Sequence, residues 1–168
     1  MEDKTENLQI PEIGETEEEK GLSITALKRR YTTLARSRFI HNPPMAVLNK
    51  DTNWFIELSN RVINEWWGKS RTRERIISIQ LLDAMIEGAK FLSTTEDNKK
   101  TPGIESVSYF ENFCKINGGI FKINITVKKM KSKVAKIKGS VPQSDIWEQP
   151  QLSEKNRYFA YYFAAVKA

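Results

Sequence analysis

The sequence contains one cysteine, Cys114, and one histidine, His41. A single cysteine excludes an intramolecular disulfide, and the two residues together cannot supply the Cys and His ligands of a structural zinc site. No apolar run approaches the roughly 20 residues that a membrane helix needs. The acidic N-terminus lacks the basic and apolar regions of a secretory signal peptide. We therefore predict a soluble, cytoplasmic protein with no metal, no small-molecule cofactor and no membrane partner.

Several catalytic motifs are missing as well. The "GKS" at residues 68–70 resembles the end of a phosphate-binding loop, but Ile63 stands where that motif requires glycine. HExxH, GxSxG and dinucleotide-binding fingerprints are absent, and the carboxylates are scattered along the chain. These absences disfavour a metal-dependent nuclease.

What the chain has in excess is positive charge. The net charge is +6, but residues 1–22 hold eight acidic and two basic residues, so the remaining chain carries +12. Such a field favours binding to nucleic acid or to an acidic protein. Residues 1–21 combine low hydrophobicity with dense acid, which predicts a disordered acidic tail. At a length of 168 residues, residues 22–168 then suit a single basic α+β domain.

Apolar periodicity predicts the elements of this domain. An amphipathic helix within residues 22–39, with Ser23 as its N-cap, should end before "NPP", and a short strand is expected around residues 54–58. A helix at 60–67 should end at Gly68, and a long, largely apolar helix should run from Ser70 to about Leu92. A polar loop should follow at residues 93–103.

A β-hairpin and a last strand complete the predicted fold. The runs "IESVSYFENFCKI" and "IFKINITVKK" flank "NGG", whose residues tolerate the positive φ of a tight turn. In the second run Phe121 alternates with Lys122, so one face should be buried and the other exposed. Residues 130–156 read as a long loop, and "RYFAYYFAAV" as an inner strand. The prediction is an α+β fold, with N-terminal helices on one face of a curved antiparallel sheet of about four strands.

Lysine is concentrated in residues 114–139, which contain eight lysines and no acidic residue. Cations on a sheet face near tyrosine rings could neutralise phosphates and stack bases, although edge strands also carry lysine to prevent aggregation. The predicted nucleic-acid-binding residues are Lys69, Lys115, Lys122, Lys128 and Lys129. Cys114 lies among apolar strand residues, and we expect it to be a buried thiol.

Arginines surround the start of the predicted long helix in "GKSRTRERI". Helix N-termini attract anions, so Arg71 and Arg73 could stabilise phosphate charge, or they could simply pair with nearby glutamates. Histidine has an unperturbed pKa suited to a general acid or base, but His41 precedes two prolines in a segment without apolar periodicity, which favours a loop residue without a catalytic role.

The order of "NKDTNWFIELSNRVINEW", "IISIQLLDAMIEGAKF" and "VSYFENFCKINGGIFKINITVKK" resembles the large polyvalent protein-associated domains of phages and mobile elements. Those domains belong to the barnase, EndoU, colicin and RelE-like nuclease superfamily. The resemblance implies helices that precede a curved antiparallel sheet and, in active members, metal-independent RNA cleavage. Because this chain lacks a histidine in the helix and the sheet, cleavage would need Lys, Arg and Tyr in its place, as in RelE-like members.

The first functional hypothesis is an RNA-directed domain, which would be either a toxin-type endoribonuclease or a mobile-element accessory. RNA is favoured over DNA as its ligand. Its candidate catalytic residues are Arg71, Arg73, His41 and Tyr161. The alternatives are a non-enzymatic module that binds nucleic acid or an acidic protein, and an interaction protein that docks on a host factor through residues such as Trp147.

Overall fold

The computed structural model describes residues 10–96, 102–131 and 156–168. The helices are α1 (Glu17–Lys20), α2 (Ile24–Phe39), α3 (Asn60–Lys69), α4 (Arg73–Ile77), a 3-10 helix (Ser78–Leu81) and α5 (Leu82–Glu87). The strands are β1 (Glu12–Ile13), β2 (Ala46–Leu48), β3 (Phe55–Glu57), β4 (Lys90–Glu96), β5 (Ile104–Ile116), β6 (Gly119–Met130) and β7 (Tyr158–Lys167).

The strands form one strongly curled mixed sheet in the order β1-β5-β6-β7-β3-β2, with β4 beside β5 on the same edge as β1. The pairs β1–β5 and β3–β7 are parallel, and the others are antiparallel. The α+β class is confirmed, but the expectation of about four antiparallel strands is wrong. The three missed strands are β1, which lies in the predicted tail, β2, where no element was predicted, and β4, which begins at the end of the predicted long helix and continues into the predicted loop.

The hairpin between β5 and β6 forms as predicted. Ile116 pairs with Gly119, so Asn117 and Gly118 make a two-residue turn, with φ values of 50° and 84°. Positive φ at both central residues is the geometry of a type I′ turn, which matches the right-handed twist of the strands. Asn tolerates this region and Gly adopts it freely, so these two residues set the register of the whole hairpin.

The core lies between the helices and the inner face of the sheet. On β6 the residues Phe121, Ile123, Ile125 and Val127 are buried and the residues between them are half-buried, as the alternation predicted. From the helices, Leu27, Ala35 and Phe39 of α2 and Trp66 of α3 enter the same cluster. The half-buried side chains between those buried on β6 lie on the outer face of the sheet.

The predicted long helix over residues 70–92 is wrong. In its place α4, the 3-10 helix and α5 follow one another, and β4 begins at Lys90. The Ser78 hydroxyl donates to the carbonyl of Arg75, which competes with regular helical bonding. At the far end the buried Asn49 amide donates to the carbonyls of Ile86 and Ala89, so these carbonyls are bonded where the helix stops.

The predicted disordered tail is also wrong for residues 10–21. Thr16 and Glu19 form a capping box at the start of α1, and β1 adds to the edge of β5. The Glu19 carboxylate is buried and accepts a hydrogen bond of 2.9 Å from the Tyr31 hydroxyl. Glu15 and Glu19 pair with Arg73 and Arg30 of the basic body, whereas the Glu17 side chain remains in solvent. Residues 1–9 lie outside the described part of the chain.

The remaining long elements agree with the sequence. The Ser23 hydroxyl caps α2, and the closing run forms β7 at the centre of the sheet. The predicted loop that precedes β7, with Trp147, falls mostly on residues 132–155, which lie outside the described part. Within the described ranges, no helix is long and apolar enough to cross a membrane.

Candidate nucleic-acid interface

A groove lies on the outer face of the sheet where β5, β6 and β7 meet α3. It has a volume of about 330 Å³. We call it the sheet groove, and its lining residues are Glu65, Lys69, Thr95, Glu96, Val107, Tyr109, Thr126, Lys128, Tyr161 and Tyr162. Cations, tyrosine rings and hydroxyls therefore come together there, with two carboxylates at the same surface.

A β-bulge explains how two successive tyrosines both reach the groove. Thr126 pairs with Tyr162 and Val127 pairs with Ala160, so Tyr161 is an extra residue of β7. Side chains of a regular strand alternate between faces, whereas a bulge shifts that alternation by one residue. Tyr161 and Tyr162 thus line the groove together, while Phe163 beyond them returns to the core.

Helix α3 supplies the wall of the sheet groove. Arg61, Glu65 and Lys69 are spaced by four residues, so they project from one side of the helix. The Arg61 guanidinium lies 5.4 Å from the ring centre of Tyr161, and Lys69 Nζ lies 5.7 Å from that of Tyr162. The helix therefore places its cations along the tyrosines of β7.

Lys128 is the cation held closest to an aromatic ring. Its Nζ lies 3.6 Å from the ring centre of Tyr161, a cation–π contact that orients the ammonium without neutralising it. Within the described ranges neither Lys128 nor Lys69 forms an ion pair with a carboxylate. Both charges remain available to an anion that enters the groove.

The other predicted lysines do not line this groove. Lys122 shares the outer face but lies further along β6, opposite Phe113 and Val166. Lys129 follows Lys128 and so points to the opposite face, where it pairs with Glu105 at 3.1 Å. Lys115 lies across from Glu12 of β1, at the edge of the sheet.

The predicted catalytic residues are dispersed. Only Tyr161 lies in the sheet groove. Arg73 bonds to the Glu15 carboxylate at 2.6 Å and donates to the carbonyls of Leu22 and Glu19, so it fixes the N-terminal segment to the domain. His41 is exposed with its Nε2 2.9 Å from the carbonyl oxygen of Arg38, and it lines neither this groove nor the one described next.

Arg71 lies in a second groove, of about 440 Å³, between α2 and the end of α3. We call it the helix groove, and its lining residues are Ile24, Thr25, Lys28, Arg29, Thr32, Thr33, Arg36, Trp67, Ser70 and Arg71. Burial, with a smaller contribution from the nearby Arg71 charge, lowers the pKa of Lys28. Lys28 Nζ lies 4.3 Å from the ring centre of Trp67.

The sequence interpretation missed Arg61, Glu65 and Glu96 at the sheet groove. The spacing of Arg61, Glu65 and Lys69 was visible in the sequence, but which side of α3 faces the tyrosines depends on tertiary packing. Among the described residues no group of three His, Cys, Asp or Glu side chains is placed to hold a metal ion.

Comparison with known families gives one match. A family model described as large polyvalent protein-associated domain 3 matches residues 23–136, which is more than half of the chain and extends from the start of α2 past the end of β6. No curated protein and no solved structure matches the chain significantly.

Proposed function

The chain belongs to the large polyvalent protein-associated domain 3 family, and from that premise we propose that it is an RNA-directed domain that holds single-stranded RNA in its sheet groove. The resemblance seen in the sequence is confirmed for this domain family. The assignment of this chain to the barnase, EndoU, colicin and RelE-like nuclease superfamily is part of the proposal. The observation that carries the proposal is the pair Lys69 and Lys128, which form no ion pair within the described ranges and lie against tyrosine rings in one groove.

The chemistry of the groove suits a phosphodiester chain. Lysines neutralise backbone phosphates, and aromatic rings give bases a surface for stacking that tolerates any sequence. The Tyr109 side chain is 40% exposed, so its ring is open to a base. The hydroxyls of Thr95 and Thr126 add hydrogen-bonding groups at the same surface. A protein ligand would instead require a larger exposed apolar area at the centre of the contact.

Binding can be tested with labelled single-stranded RNA over a range of salt concentrations. Lys128→Ala should weaken binding and lower the slope of log affinity against log salt by about 1, because one phosphate contact is lost. Tyr109→Ala should cost about 1–3 kcal/mol of binding free energy if a base stacks there. A matched control is Lys50→Ala, since Lys50 is exposed and lines neither groove. Binding that is indifferent to salt would contradict the proposal and favour an acidic protein or host factor.

A second candidate function is metal-independent RNA cleavage in the same groove. It is favoured by Glu65 and Glu96, which line the groove beside the lysines and Tyr161. A carboxylate can accept the proton of the ribose 2′-hydroxyl, a lysine can stabilise the charge of the phosphorane, and a tyrosine can protonate the leaving oxygen. This set replaces the dispersed set of Arg71, Arg73 and His41.

Cleavage is tested by incubating the protein with structured RNA in EDTA. An active enzyme should give fragments that end in a 2′,3′-cyclic phosphate. Glu65→Gln or Glu96→Gln should lower the rate by about 100-fold or more if that carboxylate is the general base, while RNA affinity stays close to that of the unchanged protein. Intact RNA that remains bound to the protein would eliminate cleavage and leave the binding module.

A further inference from the structure

The helix groove is the second basic surface of the protein, and the proposed function does not use it. The C-terminal end of α3 separates the two grooves. Glu65 and Lys69 line the sheet groove, whereas Trp67, Ser70 and Arg71 line the helix groove. The far wall is α2, which contributes Lys28, Arg29 and Arg36. One short stretch of chain thus presents cations to both sides.

Four cations line the helix groove without any carboxylate. Lys28, Arg29, Arg36 and Arg71 form no ion pair within the described part of the chain, although Arg30 and Arg38 on the same helix pair with Glu19 and Asp83. Like charges held together repel one another; the pKa of Lys28 is lowered mainly by burial and, to a smaller extent, by the Arg71 charge. An anion bound among the four would relieve the repulsion. Within the described part of the chain, these charges therefore remain available to an anion that enters the groove.

An exposed aromatic ring completes the groove. The Trp67 side chain is 50% exposed, and the hydroxyl-bearing residues Thr25 and Thr33 stand along the α2 wall. Among the described residues that line the groove, Trp67 and Ile24 are the only large apolar side chains. That apolar area is too small for the buried centre of a protein interface, whereas one large ring among cations suits a base flanked by phosphates.

We propose that the helix groove is a second site for single-stranded nucleic acid, in which Arg29, Arg36 and Arg71 contact backbone phosphates and Trp67 stacks on a base. The site goes beyond the proposed function, because it shares no lining residue with the sheet groove. Each groove can therefore be tested without the other. A strand bound at both would pass over the end of α3.

The test follows the indole N–H signal of Trp67 by NMR, assigned by its loss in Trp67→Phe, while a single-stranded RNA of ~8 nucleotides is added. The titration is run near physiological salt, where charges farther apart than about 8 Å are largely screened. The signal should shift on binding. Arg29→Glu with Arg71→Glu should weaken the affinity read from this signal at least tenfold, and the milder Arg71→Gln should act in the same direction.

Two controls separate the sites. Lys50→Glu with Lys90→Glu changes the net charge equally but lies outside both grooves, so it should alter the affinity read at Trp67 by less than about threefold. Lys128→Glu should remove binding at the sheet groove, read from the Tyr162 amide, and leave the Trp67 shift in place. A Trp67 signal unmoved by RNA, or moved equally by an acidic peptide, would overturn this second site. Loss of the Tyr162 response alone would count only against the sheet groove.

Discussion

At the scale of single residues, cations that look alike in the sequence differ in their contacts: some are bonded within the fold, and others are exposed in a groove. Arg71 and Arg73 are two positions apart, yet Arg71 is exposed in the helix groove and Arg73 is bonded to Glu15 and two carbonyls. Lys128 and Lys129 differ in the same way, because neighbouring strand residues point to opposite faces. The role of each cation depends on whether an acceptor lies within its reach.

The pair Arg71 and Arg73 gives a direct test of this division. Arg73→Met should lower the free energy of unfolding by about 2 kcal/mol, because it leaves the Glu15 carboxylate, which is only 6% exposed, without its charged partner. Arg71→Met should change it by less than about 0.5 kcal/mol, since the exposed Arg71 side chain has no such bonds. Urea unfolding measures both. Equal effects of the two changes would contradict the structural role of Arg73.

Cys114 provides a prediction of how stability depends on pH. Burial raises the pKa of its thiol to about 11, so the folded protein keeps a proton that the unfolded chain begins to lose near pH 9. Between these values the folded state binds more protons than the unfolded state, and stability must fall as pH rises. The loss should reach about 1–2 kcal/mol by pH 10. Urea unfolding from pH 8 to 10 should show a shallower fall in Cys114→Ala, and parallel curves would refute the assignment.

At the scale of elements, the sequence predicted those whose pattern is local. The hairpin follows from alternation and the Asn117–Gly118 turn, and α2 follows from periodicity and its Ser23 cap. The break-up of residues 70–92 depends on Asn49, about 40 positions away, whose amide bonds the end of α5. The bulge at Tyr161 depends on the register of β7 against β6. The Asn49 contacts and the bulge join residues that are distant in sequence, so the placement of Tyr161 and Tyr162 together in the sheet groove could not be predicted from a local pattern.

The C-terminal end of helix α3 differs from the end that its sequence predicts. Gly68 was expected to end this helix, but α3 continues to Lys69 and nothing lies within 4 Å of where a Cβ on Gly68 would be. Gly68→Ala should therefore stabilise the protein by about 0.5–1 kcal/mol, because alanine loses less backbone entropy in a helix.

The contrasting control is Gly118→Ala. It meets no neighbouring atom either, but it falls at φ +84° in the hairpin turn, where a side chain is strained. It should destabilise by about 1 kcal/mol or more. Thermal unfolding of both variants checks the pair, and a destabilising Gly68→Ala would show that α3 ends earlier.

At the scale of the whole molecule, the acidic N-terminal segment packs against the basic remainder of the domain. The acidic N-terminal segment was read as a tail because its composition is poor in apolar residues. Composition could not show that Glu15 and Glu19 meet Arg73, Arg30 and Tyr31 on the folded body. Ionic and hydrogen-bonded contacts hold this segment to the body, and among the described residues none of its carboxylates pairs with a cation that lines either groove.

This arrangement predicts that the acidic segment is part of the stable domain. A chain of residues 22–168 should be less stable than one of residues 10–168 by on the order of 3 kcal/mol, because it lacks the β1 pairing and the contacts of Glu15 and Glu19. The contacts can be isolated with a double-mutant cycle. Arg73→Met should cost about 2 kcal/mol in residues 10–168 and under about 1 kcal/mol in residues 22–168, where Glu15 and Glu19 are gone although the Leu22 carbonyl remains. Equal costs in the two chains, measured by urea unfolding, would mean that Arg73 acts elsewhere and that the segment does not stabilise the body through it.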